Sequence, residues 1–170
     1  MDEQNPYRGP DAAVAEFSSA DELAGRGARL GAWVIDMIIL VVIILPIAYM
    51  GGYFDMVSEA MATGAQPGLA AGLKWNLISI LIFVVVQFFP LNASGQTWGK
   101  KALKIRIADM QGGKPDMTKL MGLRYVLIYA ISCIPFIGGV LYLIDALMIF
   151  RNDRRCAHDL IAGTKVVHAD

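Results

Sequence analysis

Polar side chains that could do chemistry stand in this sequence where their neighbours are apolar. Asp36 lies within Leu30–Tyr49, Gln87 within Trp75–Leu91, and Arg124 and Asp145 within Leu120–Phe150, while Arg29 sits at the edge of the first run. An Asp or Arg at the centre of a membrane helix costs about 2.5–3.5 kcal/mol on insertion scales, so it needs a partner or a task. Two tasks suit such a set. The groups can form a fixed ion-pair network that orients helices. Alternatively, one carboxylate can exchange a proton or a small cation, tuned by burial and a nearby arginine. Asp36 is seven residues past Arg29, which puts both on nearly one helix face about 10.5 Å apart. Each run carries its polar group to a similar depth from its basic end. This predicts one shared cluster, in which Asp36 or Asp145 pairs with Arg124 or Arg29 and Gln87 completes the hydrogen bonds.

The elements that must hold these groups follow from hydropathy. Of 170 residues, 56% are hydrophobic and 18% charged, against roughly 45–50% and about 25% in a soluble domain. Spans are expected at about 29–50, 74–91, 119–134 and 137–150. The block Leu120–Phe150 would be about 46 Å long as one helix, too long for a hydrocarbon core of about 30 Å. Its centre, Ile134-Pro135-Phe136-Ile137-Gly138-Gly139, predicts a fold-back into two shorter helices. The expected class is therefore an all-α membrane protein with four transmembrane helices, the last two a Pro/Gly-broken hairpin. Between the first two spans the Gly/Ala-rich stretch with Asp55 and Glu59 reads as a loop.

Basic residues set the orientation. Arg26 and Arg29 precede the first span, six Lys/Arg from Lys100 to Lys119 follow the second, and Arg151, Arg154, Arg155 and Lys165 follow the last. The positive-inside rule then puts both termini and the central connection on the cytoplasmic side. Leu103, Ile105 and Ile107 alternate with Lys104 and Arg106, so a strand is expected at about 103–109, pairing beneath the membrane with another at about 163–168. Trp98, Lys100 and Lys101 suit a headgroup-level segment on anionic lipid. Residues 1–25, acidic and without an apolar period, read as a disordered tail rather than a signal peptide.

Other classes find little support. Fifteen Lys+Arg balance fifteen Asp+Glu, which gives no basic excess for nucleic acid. Cys133 and Cys156 make no disulfide framework, and two histidines give no metal-ligand spacing. His158-Asp159 has no nearby nucleophile, so neither a metal, a cofactor nor an enzyme is expected.

Together these residues resemble the RDD family, small bacterial membrane proteins named for an arginine and two aspartates. The resemblance covers about 26–168. It rests on Arg29 and Asp36, on Gly95-Gln96-Thr97-Trp98-Gly99-Lys100, on Ile105-Arg106-Ile107 with Asp109 and Gly112-Gly113, and on Arg155-Cys156-Ala157-His158-Asp159-Leu160-Ile161-Ala162-Gly163-Thr164. The second family aspartate falls on Asp159, with Asp145 as a competitor; Asp159 is counted with the polar cluster, and with His158 it is expected to dock the tail against the loop. The resemblance implies a multi-pass protein of the bacterial cytoplasmic (inner) membrane. It also implies, loosely, exchange of a small cation (Na+, Li+ or K+) for protons; a single four-helix unit leaves little room for a pathway, so a homo-oligomer is expected. In that expectation Asp36 binds the ion, Arg29 and Arg124 are its counter-charges and Asp145 is a second acid. The alternative is a non-transporting partner or assembly protein that binds another protein through its cytoplasmic face, with the Asp/Arg cluster purely structural.

Overall fold

The computed structural model describes residues 22–126, 130–131 and 137–169. The first 21 residues of the expected tail, Cys133 and Pro135 lie outside them. Helix α1 (Arg26–Met50) contains Pro46, and α3 (Leu69–Ser94) contains Pro90. Both are long and apolar enough to cross a membrane, at 25 and 26 residues. Their outward faces are bare hydrocarbon: Val42 is 66% and Val85 69% exposed. A soluble core helix would bury such residues.

Between them stands a difference from the sequence reading. The expected loop contains helix α2 (Tyr53–Thr63), bounded by Gly52 and Gly64, both left-handed. Tyr53, Met56, Val57 and Ala60 share one half-buried helical face, with Asp55, Ser58 and Glu59 exposed on the other. That short amphipathic period was hidden by the flanking Gly and Ala.

After α3 the chain turns at Gly95 (φ +68°) into the short helix α4 (Trp98–Ala102). Lys104, also at positive φ, reverses it into strand β1 (Ile105–Asp109). A π-helical segment (Lys119–Val126) follows, then α5 (Ile137–Leu147) with a 3₁₀ turn at Met148–Phe150, α6 (Ala157–Ala162) and strand β2 (Thr164–His168). Of the expected fold-back, Gly138 and Gly139 already lie inside α5. Two long apolar helices are thus described, with a shorter one at Gly138–Phe150.

The two strands pair antiparallel, Ile105 opposite His168 and Asp109 opposite Thr164. The second edge of β2 is covered by the end of the expected tail. Leu23 bridges Val167, and the Ala24 amide donates to the Val166 carbonyl at 3.0 Å. Leu23 and Ala24 are therefore not a free tail, because an open edge leaves backbone groups wanting partners. Ala24, Ala32, Leu91, Ile105, Ile107, Leu120 and Val166 form the buried core, which joins the sheet to the ends of α1 and α3.

Candidate functional site

Two buried carboxylates organise the polar interior, and they do so with different partners. Asp159 is completely buried at the start of α6. Arg29 of α1 donates through Nη2 to its Oδ2 at 2.6 Å, and Arg124 of the π-helical segment donates to its Oδ1. The Cys156 amide also donates to Oδ2, and the Thr164 hydroxyl lies 3.3 Å from Oδ1. Burial pushes the Asp159 carboxyl upward, but Arg124, His158 and Arg29 outweigh it and hold the group well below the usual carboxylate range. Arg124 further bonds the Thr164 hydroxyl at 2.5 Å, and Arg29 the Arg154 carbonyl. One carboxylate thereby ties the beginning of α1, the π-helical segment and the chain entering β2.

Asp36, two turns further along α1, is also buried, but its partners carry no charge. Oδ1 accepts from Gln87 Nε2 at 2.9 Å and from the Gly99 amide at 2.8 Å, while Oδ2 accepts from the Thr97 hydroxyl at 2.5 Å. Gln87 passes the network on, since its Oε1 accepts from the Trp98 amide at 3.2 Å. Gly99 is required by close approach: a Cβ there would collide with the Ala32 carbonyl oxygen. Asp36 therefore locks the loop before α4 and α4 itself onto α1 and α3.

The expected single cluster is thus two. Neither arginine contacts Asp36; both go to Asp159, the last member of the expected polar cluster. Asp145 meets neither of them in an ion pair. Instead its carboxylate takes the His158 ring, with Nδ1 at 2.7 and 2.9 Å from the two oxygens, and the His158 backbone amide at 2.9 Å. His158 Nε2 points back towards Asp159 at 3.8 Å. Burial and Arg124 lower the His158 pKa against the pull of Asp145, which favours neutral imidazole.

The sequence model of the RDD family matches residues 23–163, most of the chain and both carboxylate nodes. The chain belongs to the RDD family. RDD proteins are membrane proteins, in keeping with α1 and α3. Uncharacterized protein YckC of Bacillus subtilis (strain 168) is 31% identical over 147 residues, covering 86% of this chain and 85% of that one. No solved structure matches the chain.

The RDD motifs gain a physical content from the geometry. In Gly95-Gln96-Thr97-Trp98-Gly99-Lys100, Gly95 supplies the left-handed turn, Gln96 bonds the Ile105 carbonyl at 3.0 Å, and Thr97 and Gly99 hold Asp36. The sequence pattern alone does not pair Thr97 and Gly99 with Asp36. A hydroxyl and a glycine just past the end of the second span, with an unpaired Asp in the first, were the available signal. Thr164 and Cys156 were missed likewise, because their roles depend on Arg29 and Arg124 arriving from more than thirty residues away. Of the expected headgroup residues, Trp98 bonds the Val86 carbonyl at 2.9 Å through Nε1 and Lys101 stands over its ring. Lys100 Nζ points to the Tyr125 hydroxyl at 3.5 Å.

Proposed function

We propose that this RDD protein is a four-crossing protein of the cytoplasmic membrane that exchanges a small monovalent cation for protons, with Asp36 as the exchanging carboxylate. The observation that carries this reading is the neutral character of Asp36's shell. A buried carboxylate bound to an amide side chain, a hydroxyl and a backbone N–H can take up a proton or a cation without breaking an ion pair. Asp159, clasped by two guanidiniums, has no such freedom. The expected counter-charge role of Arg29 and Arg124 at Asp36 is dropped, since both are committed elsewhere.

The sheet supports the crossing number. Leu23, β1 and β2 meet in one sheet, which an even number of crossings between them allows. In this reading α1 and α3 make the first two crossings, and two more are assigned between Lys119 and Phe150. Both termini then share the basic face, cytoplasmic by the positive-inside rule. Anionic lipid at Trp98 and Lys101, and a homo-oligomer completing the pathway, belong to the same proposal.

A second reading has its own observation. The three donors to Asp36 come from α3 and from the segment opening α4, so the carboxylate also serves as a tie, and a non-transporting partner or assembly protein would need the same tie. Reconstituted liposomes with an internal pH-sensitive dye separate the two. An imposed Na+, Li+ or K+ gradient should drive proton flux with wild-type protein and none with folded Asp36→Asn. Equal flux in both proteins overturns the role of Asp36. No flux in wild type, with stoichiometric co-purification of another membrane protein, establishes the second reading.

A further inference from the structure

One cluster contributes nothing to the shell of Asp36, and Asp145, expected as a second acid of the exchange, belongs to it. Asp145 near the end of α5, and Cys156 and His158 at the start of α6, bring a carboxylate oxygen, a thiol sulfur and an imidazole nitrogen within 4.8 Å of one another. We propose that these three side chains form a binding site for a divalent transition-metal ion of the zinc type.

Thiolate, imidazole and carboxylate together are the donor set that Zn2+ accepts, and three protein ligands leave a fourth position for water or a ligand. The surroundings are arranged as such a site requires. A metal-bound imidazole works best when its other ring nitrogen is donated to a carboxylate. If Nδ1 faces the metal, Nε2–H points to Asp159 Oδ1, already 3.8 Å away. Asp159 is itself fixed by Arg29 and Arg124, so it cannot swing in and become a ligand. Arg29 Nη2 stands 3.7 Å from the Cys156 sulfur, where it would stabilise a thiolate. The His158 side chain is 21% exposed, which gives an ion a way in.

Binding needs one rearrangement and releases one proton. The present Nδ1···Asp145 contact of 2.7 Å opens by a few tenths of an ångström as both atoms turn to the shared ion. The imidazole stays neutral, but its single proton, which Nδ1 donates to Asp145 without the ion, moves to Nε2. The Cys156 thiol gives its proton to solvent. Burial, with Asp159 and Asp145 nearby, pushes the free thiol up to about 11, so affinity rises with pH as the ion competes with that proton. The expectation of no metal rested on counting two histidines. The count could not show that Asp145, from another helix, would complete the set.

Cobalt(II) is the probe. The full-length protein, purified in detergent micelles with chelator and then freed of it, should develop a thiolate-to-cobalt charge-transfer band that saturates at one ion per chain and is displaced by Zn2+. Cys133→Ser should keep the band and Cys156→Ser should lose it, while Asp145→Asn or His158→Gln should weaken binding at least about tenfold. No band in wild type, or a band that survives in Cys156→Ser, overturns the site. If Cys156→Ser does not fold, zinc-edge X-ray absorption on the wild-type protein decides. One sulfur with nitrogen and oxygen neighbours supports the assignment, and an all-oxygen shell or no retained zinc refutes it. None of these readouts depends on ion flux.

Discussion

Asp36 and Asp159 are both buried carboxylates in the same small protein, and helix α1 contributes to both nodes, yet they are held in opposite ways. Asp159 accepts from two guanidiniums, so its charge is compensated and its bonds are charge-assisted. Asp36 accepts from a carboxamide, a hydroxyl and a backbone amide, so its geometry is fixed while its charge is left to be answered. The first arrangement suits a permanent fastening between distant parts of the chain. The second suits a group that must keep its place while its charge state changes. Where a buried acid's counter-ion comes from therefore says more about its task than how deeply it is buried.

The largest test of this contrast is Asp159→Asn. It leaves Arg29 and Arg124 buried beside one another without their anion, and losing one partner of a buried ion pair typically costs about 3–5 kcal/mol. Unfolding in detergent, followed by temperature or denaturant, should show a loss of that order. Adding Arg124→Gln, which removes one stranded cation, should restore part of it. If the single variant is as stable as wild type, Asp159 is not the fastening described here.

Acid should reach the same node more gradually. Because the folded Asp159 carboxyl lies below its unfolded value of about 3.9, the unfolded chain binds the extra proton first. The stabilisation from Asp159 is therefore complete above that value and is lost as pH falls through and below it. His158 has the same sign at higher pH: its folded value is depressed from about 6.5, so protonation of the unfolded chain erodes stability as pH falls below that point. Metal-free wild type should accordingly unfold more easily at pH 5 than at pH 7.5. His158→Gln should remove that upper part of the dependence and leave the steeper loss near pH 4 and below. A profile with no change in His158→Gln would falsify the assignment of the upper step.

How much of this could be read from residues alone follows the range of each interaction. The apolar context of Asp36, Gln87, Arg124 and Asp145 marks them as groups in need of partners, and the alternation around Ile105 and Ile107 marks a strand that pairs near the chain end. Both signals are local, set by hydropathy and by period. Who pairs with whom was not legible. The choice between Asp36 and Asp159 for the arginines depends on where α4 and α6 dock, and helices of five and six residues carry no period to read. Helix α2 escaped for a related reason: its apolar face is only four side chains long, Tyr53, Met56, Val57 and Ala60. The cover that Leu23 and Ala24 give to β2 is a backbone interaction, with no side-chain signature at all.

The smallest effect on stability should come from the variant that matters most for function. In Asp36→Asn the amide oxygen can stay where Oδ1 is and keep the bonds from Gln87 and Gly99. The amide nitrogen then replaces Oδ2 beside Thr97, whose hydroxyl can rotate to accept instead of donate. Three hydrogen bonds survive and no ion pair is broken, so the cost should be about 1 kcal/mol or less. Asp36→Leu, which strands all three donors, should cost several times more. A pair of measured stabilities in that order, set beside the Asp159→Asn loss, would show that the two nodes differ in kind. Were Asp36→Asn as damaging as Asp159→Asn, the carboxylate's charge would be needed for the fold itself. The neutral shell would then be a tie and nothing more.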